Sequence, residues 1–273
     1  MTTRRRWGLA AVVVAIYAFL LAPFVVLALS SLSGGEAYYI SFPPRGLSTR
    51  WYLAIPASYL RSFAVSVAIG VASALAAGLL GVAAALGIVR GRYRRKELLK
   101  AFFRAPLQIP LVVSGVVFLQ FYYVLFGLTG VRLLESFTGL LLAHVFISLP
   151  FVVGTVCAVL EKFDRRLEEA AYSLGASRWT TFRRVTLPVI RPGVFAGMLY
   201  AFIVSFGNVP VSLFLVGPRL TTLPVDLFYS MEYDFNPSIL ALSTLVVVFS
   251  VLTILLLQRL MGMDVLVRAG AKE

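Results

Sequence analysis

Long apolar intervals alternate with short charged segments along this chain of 273 residues. Six intervals contain no Asp, Glu, Lys or Arg, and each is long enough to cross a bilayer, which takes about 20 mostly apolar residues. Backbone groups in lipid must find hydrogen-bond partners within the chain, so these intervals are expected to be helices. The pattern therefore predicts an all-α membrane protein, a single transmembrane domain over residues 1–273, with spans at about residues 9–31, 60–89, 106–127, 137–159, 193–216 and 238–259.

The basic residues are distributed unevenly between the two sides of this predicted domain. Of 25 lysines and arginines, 20 lie at the two ends or in loops that follow an even number of crossings. Because basic residues are retained on the cytoplasmic side, both termini are predicted to be cytoplasmic. The net charge of +13 is therefore interpreted as a topology signal, and no nucleic-acid partner is expected. The uncharged stretch after Arg6 is too long for a signal-peptide core, which predicts an uncleaved first span.

Four connecting segments are long enough to contact other molecules. Residues 90–104 and 161–191 are predicted to lie in the cytoplasm, whereas residues 32–60 and 217–236 are predicted to lie outside. The sequence contains no GxxxxGK[ST] motif, which would cradle nucleotide phosphates. If ATP drives this protein, another chain is expected to hydrolyse it.

The longest internal segment, residues 161–191, carries helix signals. Asp164 can cap a helix whose first turn carries Glu168 and Glu169, where negative charge is favourable. Gly175 in the middle costs about 1 kcal/mol relative to alanine, which indicates either close approach of another backbone or a break between two short helices. Pro188 is expected to stop the helix and begin the next element.

The same segment closely resembles the EAA motif of permease subunits in ATP-binding-cassette (ABC) importers. That pattern is E-A-A, three residues, Gly, nine residues, Ile or a similar residue, one residue, then Leu-Pro, and Val185 stands here for Ile. The resemblance implies a cytoplasmic coupling helix that sits in a groove of an ATPase subunit; the alternative is an ordinary amphipathic loop helix. It assigns coupling to Glu169, Ala170, Ala171, Gly175, Leu187 and Pro188.

The resemblance extends over nearly the whole chain and is closest to the PotC-like permeases of spermidine/putrescine importers. It is carried by Phe42-Pro43-Pro44, Leu47-Ser48, Arg50-Trp51-Tyr52, Ser205-Phe206-Gly207-Asn208, Leu213-Phe214-Leu215, Gly217-Pro218, Thr222-Leu223-Pro224-Val225, Pro237 and Ala241-Leu242-Ser243-Thr244. It implies the MetI-like fold of type I ABC importers, in which six transmembrane helices line half of a solute pathway. It also implies a multi-pass protein of the cytoplasmic (inner) membrane.

The resemblance implies several partners and no resident cofactor. A pair of ABC ATPase subunits would bind ATP, and a periplasmic or extracellular solute-binding protein would deliver solute. A second permease subunit would complete the pathway, either as a PotB-like heterodimer partner or as a second copy in a homodimer. The protein itself is expected to perform no catalysis.

The solute implied by the resemblance is a polyamine, and the alternative is another small solute such as an oxyanion, a phosphonate or a metal ion. The family often has an acidic residue after Ser-Phe in the fifth span, where this chain has Gly207-Asn208. External acids that could attract a cation are Asp226, Glu232 and Asp234, although a solvated loop is the simpler interpretation. Candidate pathway residues are Gln120, Ser205 and Asn208, with interhelical hydrogen bonding as their alternative role.

Two other functional classes conflict with the residue content. A membrane enzyme needs a catalytic pair or a metal cluster, but the single His144 and the single Cys157 both lie in the fourth span without nearby acids. His144 is therefore expected to make helix contacts. An ion-coupled transporter without an ATPase predicts buried charges or inverted repeats, and neither is found in the sequence.

Overall fold

The computed structural model describes residues 3–34, 42–44, 46–233 and 235–261, and these residues form helices joined by turns and short connections. The α-helices are α1 (Thr3–Ser31), α2 (Arg50–Leu53), α3 (Ala57–Arg90), α4 (Lys96–Arg104), α5 (Leu111–Thr129), α6 (Phe137–Lys162), α7 (Arg166–Ser173), α8 (Arg178–Thr181), α9 (Leu187–Phe206), α10 (Leu223–Tyr233) and α11 (Ser238–Met261). Short 3₁₀ turns occupy Ala105–Gln108 and Ser212–Phe214, and a π turn occupies Phe182–Thr186.

Within the residues that the structure describes, six helical stretches are long and apolar enough to cross a membrane, which confirms the six-span prediction. They are Gly8–Ser31, Ala57–Arg90, Leu111–Thr129, Phe137–Lys162, Arg178–Phe206 and Ser238–Leu255. At a rise of about 1.5 Å per residue, a stretch of 20 residues spans about 30 Å, the thickness of the hydrocarbon core.

The chain divides into two compact units, formed by Met1–Tyr59 with Leu227–Arg259 and by Leu60–Asp226 with Leu260–Glu273. In the first unit, α1 exposes large apolar side chains on every side, including Val14 and Phe19, of which 65% and 80% are exposed. An apolar surface of this kind is stable against lipid and not against water. After α1 the chain turns back, and the Trp51 indole donates a hydrogen bond to the Ser33 carbonyl at 2.9 Å.

The core of the second unit lies where α3, α6 and α9 pack together. Val152 and Val156 of α6 and Ile190 and Ala201 of α9 are fully buried there. The helices approach so closely that a Cβ atom on Gly197 would lie 2.7 Å from the Cα atom of Val152. Small residues at helix contacts provide this close packing in lipid, where no hydrophobic effect drives association.

The third span begins later than the sequence pattern predicts. Its helix, α5, starts at Leu111 and not near residue 106. Pro106 lies at the start of the 3₁₀ turn Ala105–Gln108, and Pro110 occupies the N-cap position of α5. The residue before a proline is disfavoured in the α-helical region, and Ile109 accordingly has an extended backbone with ψ of 127°, so α5 begins only after Pro110. Gln108 consequently lies in the turn before the span.

Both predicted ends of the fifth span, residues 193 and 216, are wrong. Helical structure is continuous from Arg178 through the π turn into α9, so Pro188 lies in the first turn of α9 and does not interrupt the helical stretch. At the other end α9 stops at Phe206, ten residues before the predicted boundary at residue 216. Apolar composition extends past the helix end, and hydropathy alone could not locate this break.

Candidate functional site

Helix α7 begins where the sequence signals predicted it. The Asp164 carboxylate accepts a hydrogen bond from the Arg166 N–H at 2.9 Å, which satisfies one of the free backbone donors at the helix start. Glu168 and Glu169 lie in the first turn, where the positive end of the helix dipole favours them. The first turn is thus stabilised by local interactions.

Helix α7 ends in a Schellman motif built around Gly175. The Gly175 N–H donates to the Tyr172 carbonyl at 2.9 Å, and the Ala176 N–H donates to the Ala171 carbonyl at 3.0 Å. Gly175 adopts a φ of +82°, a left-handed conformation that other L-residues adopt only at a cost. A Cβ atom there would meet nothing within 4 Å. Gly175 therefore provides the break between two short helices, and no other backbone in the described part of this chain approaches it closely.

Helix α8 follows four residues after the end of α7 and leads through the π turn into the fifth span. The Ser177 hydroxyl caps it by accepting a hydrogen bond from the Thr180 N–H at 3.2 Å. The Trp179 and Phe182 rings lie 5.6 Å apart across the start of the π turn. The backbone is therefore helical from α8 through the π turn to the end of α9.

Glu168 attaches α7 to the rest of the second unit. It is 9% exposed, its Oε1 accepts a hydrogen bond from the Thr186 hydroxyl at 2.7 Å, and its Oε2 lies 3.2 Å from Arg90 Nε. The Arg90 guanidinium also lies over the Phe163 ring, 5.0 Å from its centroid. Arg90 is the last residue of α3, so this one carboxylate joins α7 to α3 and to the π turn. The resemblance to the EAA motif points to Glu169, and sequence reasoning missed the role of Glu168.

A groove of about 590 Å³ opens between these elements. It is lined by Leu86, Arg90, Arg165, Glu168, Glu169, Tyr172, Arg178, Trp179, Phe182 and Thr186. Its rim exposes apolar surface, because the Trp179 side chain is 67% exposed. Exposed aromatic and arginine side chains, such as Trp179 and Arg178 here, are enriched in protein interfaces.

The six residues that the EAA resemblance singles out lie on this segment in two groups. Glu169, Ala170 and Gly175 are exposed and Ala171 is half-buried on α7 and its terminal turn. Leu187 is half-buried against the core, and Pro188 is exposed in the first turn of α9. Leu174 beside Gly175 is 89% exposed. The first group presents a surface, and the second begins the span.

The three pathway candidates are in different environments. Gln120 is exposed on α5, whereas Ser205 and Asn208 are each 3% exposed. Asn208 lies beyond the end of α9, although the predicted fifth span includes both Ser205 and Asn208. Its carboxamide oxygen accepts a hydrogen bond from the Val211 N–H at 2.9 Å and thereby caps the turn that leads to the second 3₁₀ turn.

His144 connects these polar residues. It is fully buried, its Nδ1 lies 2.7 Å from the Ser205 hydroxyl, and its Nε2 lies 3.0 Å from the Ser212 hydroxyl. The imidazole thus holds the end of α9 to the segment after the helix break, in agreement with the expected role in helix contacts. Among the described residues there is no group of three His, Cys, Asp or Glu side chains that could hold a metal ion.

Comparison with known proteins gives matches over most of the chain. Residues 77–263 match the family model of the binding-protein-dependent transport system inner membrane component. The chain is 34% identical over 243 residues to the spermidine/putrescine transport system permease protein PotC of Escherichia coli K12, covering 88% of this chain and 89% of that protein. It is 32% identical over 233 residues to the putrescine transport system permease protein PotI of the same strain, covering 84% and 82% respectively.

A solved structure is similar to the fold over nearly its whole length. The structure is a bacterial ABC transporter involved in the import of the acidic polysaccharide alginate, and the match covers 94% of this chain and 96% of that chain. The TM-score is 0.73 at 14% sequence identity. Because the identity is low, this similarity concerns the fold alone.

Proposed function

Because the chain belongs to the family of binding-protein-dependent transport system inner membrane components, it is a permease subunit of an ATP-driven ABC importer, and we propose that it imports a polyamine. The resemblance to EAA-motif permeases and the six-helix fold of ABC importer permeases are thereby confirmed. Membership of this family implies that the chain lies in the inner membrane and that ATPase subunits and a solute-binding protein are its partners. Its relatives are transport permeases. The proposal is accordingly that this chain transports solute and catalyses no reaction.

The coupling mechanism that we propose depends on the exposed surface of the 161–191 segment. Glu169, Ala170, Ala171 and Gly175 contact the ATPase, and Leu174 inserts into it. Closure of the ATPase pair pushes α7 and α8, and the helical connection to α9 moves the fifth span with them. The observation that carries this proposal is the continuous helical stretch from Arg178 to Phe206. Leu187 and Pro188 are the first residues of its membrane-spanning part, α9.

We propose a topology with both termini in the cytoplasm. The charge asymmetry of 20 basic residues against 5 supports it. It brings the 161–191 segment to the side where an ATPase hydrolyses ATP. It also leaves the segments around α2 and α10 outside, where a solute-binding protein docks. The second permease is a PotB-like subunit that forms a heterodimer with this chain.

The polyamine proposal is supported by the two relatives that transport spermidine and putrescine. Of the external acids, Asp226 accepts a hydrogen bond from the Ser62 hydroxyl, Glu232 is exposed, and Asp234 lies outside the described residues. Asn208 offers no charge to a cationic amine. The alternative is the same machinery importing an oxyanion, a phosphonate or a metal ion, with Gln120, Ser205 and Asn208 as pathway residues in either case.

Crosslinking tests the coupling surface. With Cys157 replaced by alanine, the Leu174→Cys variant is expected to crosslink to the ATPase in the assembled importer. The Glu97→Cys variant is the matched control, because that side chain is 84% exposed on α4, on the same proposed side of the membrane. Equal crosslinking of both variants, or none at residue 174, would contradict the proposed surface.

Uptake into proteoliposomes identifies the solute class. Vesicles that contain the assembled importer and its binding protein are expected to accumulate radiolabelled spermidine or putrescine only with internal ATP. Accumulation of sulfate, a phosphonate or a metal ion in place of the polyamine would replace the substrate and leave the coupling proposal intact. Uptake driven by an ion gradient without the ATPase would instead identify a secondary transporter.

A further inference from the structure

Helix α4 lies in the segment 90–104, which connects the second and third spans. Residues 91–95 join it to the end of α3, and the 3₁₀ turn with two further residues joins it to α5. A connection of five residues reaches at most about 17 Å. Both ends of α4 are therefore held within a short distance of the ends of two membrane spans, close to the headgroup layer.

One face of α4 is fixed against the second unit. Leu99 and Phe103 pack against the core formed by α3, α6 and α9. Lys100 Nζ lies 2.7 Å from Glu161 Oε1 of α6 and 2.6 Å from Glu97 Oε1. Lys96 Nζ donates to the Val89 carbonyl at 2.8 Å, at the end of α3. These contacts determine which side of α4 faces away from the protein.

The side that faces away carries an apolar stripe. Leu98, Ala101, Phe102 and Ala105 recur at the i, i+3, i+4 and i+7 spacing of one helix face, and all four are exposed. Leu98 is 61% exposed and Phe102 is 72% exposed. Tyr93, just before the helix, is 54% exposed. Exposure of this apolar surface to water is unfavourable.

Four arginines flank this stripe along the chain, Arg92, Arg94 and Arg95 just before α4 and Arg104 as its last residue. All four are exposed, and none forms an ion pair with another residue in the described part of the chain. A short amphipathic helix with basic residues beside aromatic and leucine side chains lies in the membrane interface, with its apolar face in the acyl boundary. Each basic residue near an anionic leaflet strengthens binding about fivefold.

We propose that α4 and the preceding turn form an anionic-phospholipid site, in which Leu98 and Phe102 insert at the acyl boundary while Arg92, Arg94, Arg95 and Arg104 bind lipid phosphates. Occupation of the site anchors the connection between α3 and α5 at the headgroup layer. Arg90, which holds Glu168 of α7, is the residue that ends α3. Lipid binding at α4 thus acts on the same end of α3 to which α7 is attached. The proposal rests on the proposed function only for the side of the membrane on which α4 lies.

Fluorescence quenching by lipid tests this site. With Cys157 replaced by alanine, bimane is attached in separate variants at Leu98→Cys, Phe102→Cys and Glu97→Cys, and the chain is reconstituted with and without its partners in nanodiscs. Brominated phospholipid is expected to quench the labels at 98 and 102 at least twofold more than the label at 97. Quenching at 98 and 102 is expected to increase when anionic brominated phosphatidylglycerol replaces brominated phosphatidylcholine.

Charge removal and partner removal complete the test. The Arg92→Gln, Arg94→Gln, Arg95→Gln triple variant is expected to lose most of the phosphatidylglycerol preference and to keep quenching by phosphatidylcholine. Equal quenching at 97, 98 and 102, or no lipid preference in the parent protein, would overturn the proposal. The proposal would also be overturned if assembly of the importer shielded the labels at 98 and 102 from both brominated lipid and aqueous iodide. The stripe would then be a protein interface. Lipid quenching of the labels in the chain alone does not require an ATPase. A negative quenching result would therefore contradict the lipid site and leave the proposed transport function untouched.

Discussion

Removal of the Glu168 carboxylate is expected to release α7 from α3. In the Glu168→Ala variant, the Thr186 hydroxyl loses its acceptor at 2.7 Å and Arg90 loses its ion partner at 3.2 Å. Loss of one partner of a fully buried ion pair costs about 3–5 kcal/mol. The side chains of Arg90 and Glu168 are 20% and 12% exposed, and water in the groove partly solvates the remaining charge. We therefore expect a cost of about 2 kcal/mol to the docking of α7.

Hydrogen–deuterium exchange in the permease without its ATPase subunits measures this cost, because contacts with the ATPase then do not contribute. A free-energy change of about 2 kcal/mol corresponds to about a 30-fold change in an equilibrium. Amides of α7 are expected to exchange about 30-fold faster in the Glu168→Ala variant, since their exchange follows the population of the open state. Transport is expected to fall because a detached α7 transmits less of the ATPase movement.

The neighbouring residue provides a matched control. Glu169 is exposed on the same helix, so Glu169→Ala is expected to change exchange by less than threefold, as surface substitutions usually do. A double-mutant cycle with Arg90→Ala isolates the ion pair. The reasoning is refuted if Glu168→Ala leaves α7 exchange at the level of Glu169→Ala, or if the Glu168 and Arg90 effects on exchange simply add.

Three further substitutions, two of them paired with a milder control variant, test other parts of the structure. Gly175→Val should weaken the 161–191 segment by about 1–2 kcal/mol through its positive φ alone, and Gly175→Asn should be milder; equal exchange rates in both variants would contradict this. His144→Ala should lower the unfolding free energy in detergent by about 2–4 kcal/mol, because two buried hydroxyls lose their partner; an unchanged thermal midpoint would oppose the proposed connection. Gly197→Val should cost about 1–3 kcal/mol by overpacking against Val152, whereas Gly87→Ala, where a Cβ atom meets nothing within 4 Å, should stabilise the helix by up to about 1 kcal/mol.

Several features of the fold were predictable because they depend on local sequence. The number of spans follows from apolar length, since a bilayer imposes one minimum length on every crossing. The start of α7 follows from Asp164 and the glutamates of its first turn, and its end follows from Gly175, because capping involves residues only a few positions apart. The EAA pattern identified the family on the same basis, by residue type and spacing.

Other features depend on residues that are distant in the sequence. Glu168 is buried because Arg90, at the end of another span, lies beside it. The end of the fifth span at Phe206 is stabilised by Asn208 and by His144 of α6, while the local composition remains apolar. Sequence hydropathy records whether a segment avoids water, and it does not distinguish helix from a buried turn.

The amphipathic pattern of α4 shows the same division between local and tertiary information. The sequence shows that residues 90–104 combine many basic side chains with apolar ones, and that they connect two spans. Only the packed structure decided that Leu99 and Phe103 face the core while Leu98 and Phe102 face outward. Two adjacent leucines and two adjacent phenylalanines are chemically equivalent in the sequence, and the burial of one of each pair is determined by the surface against which the helix packs.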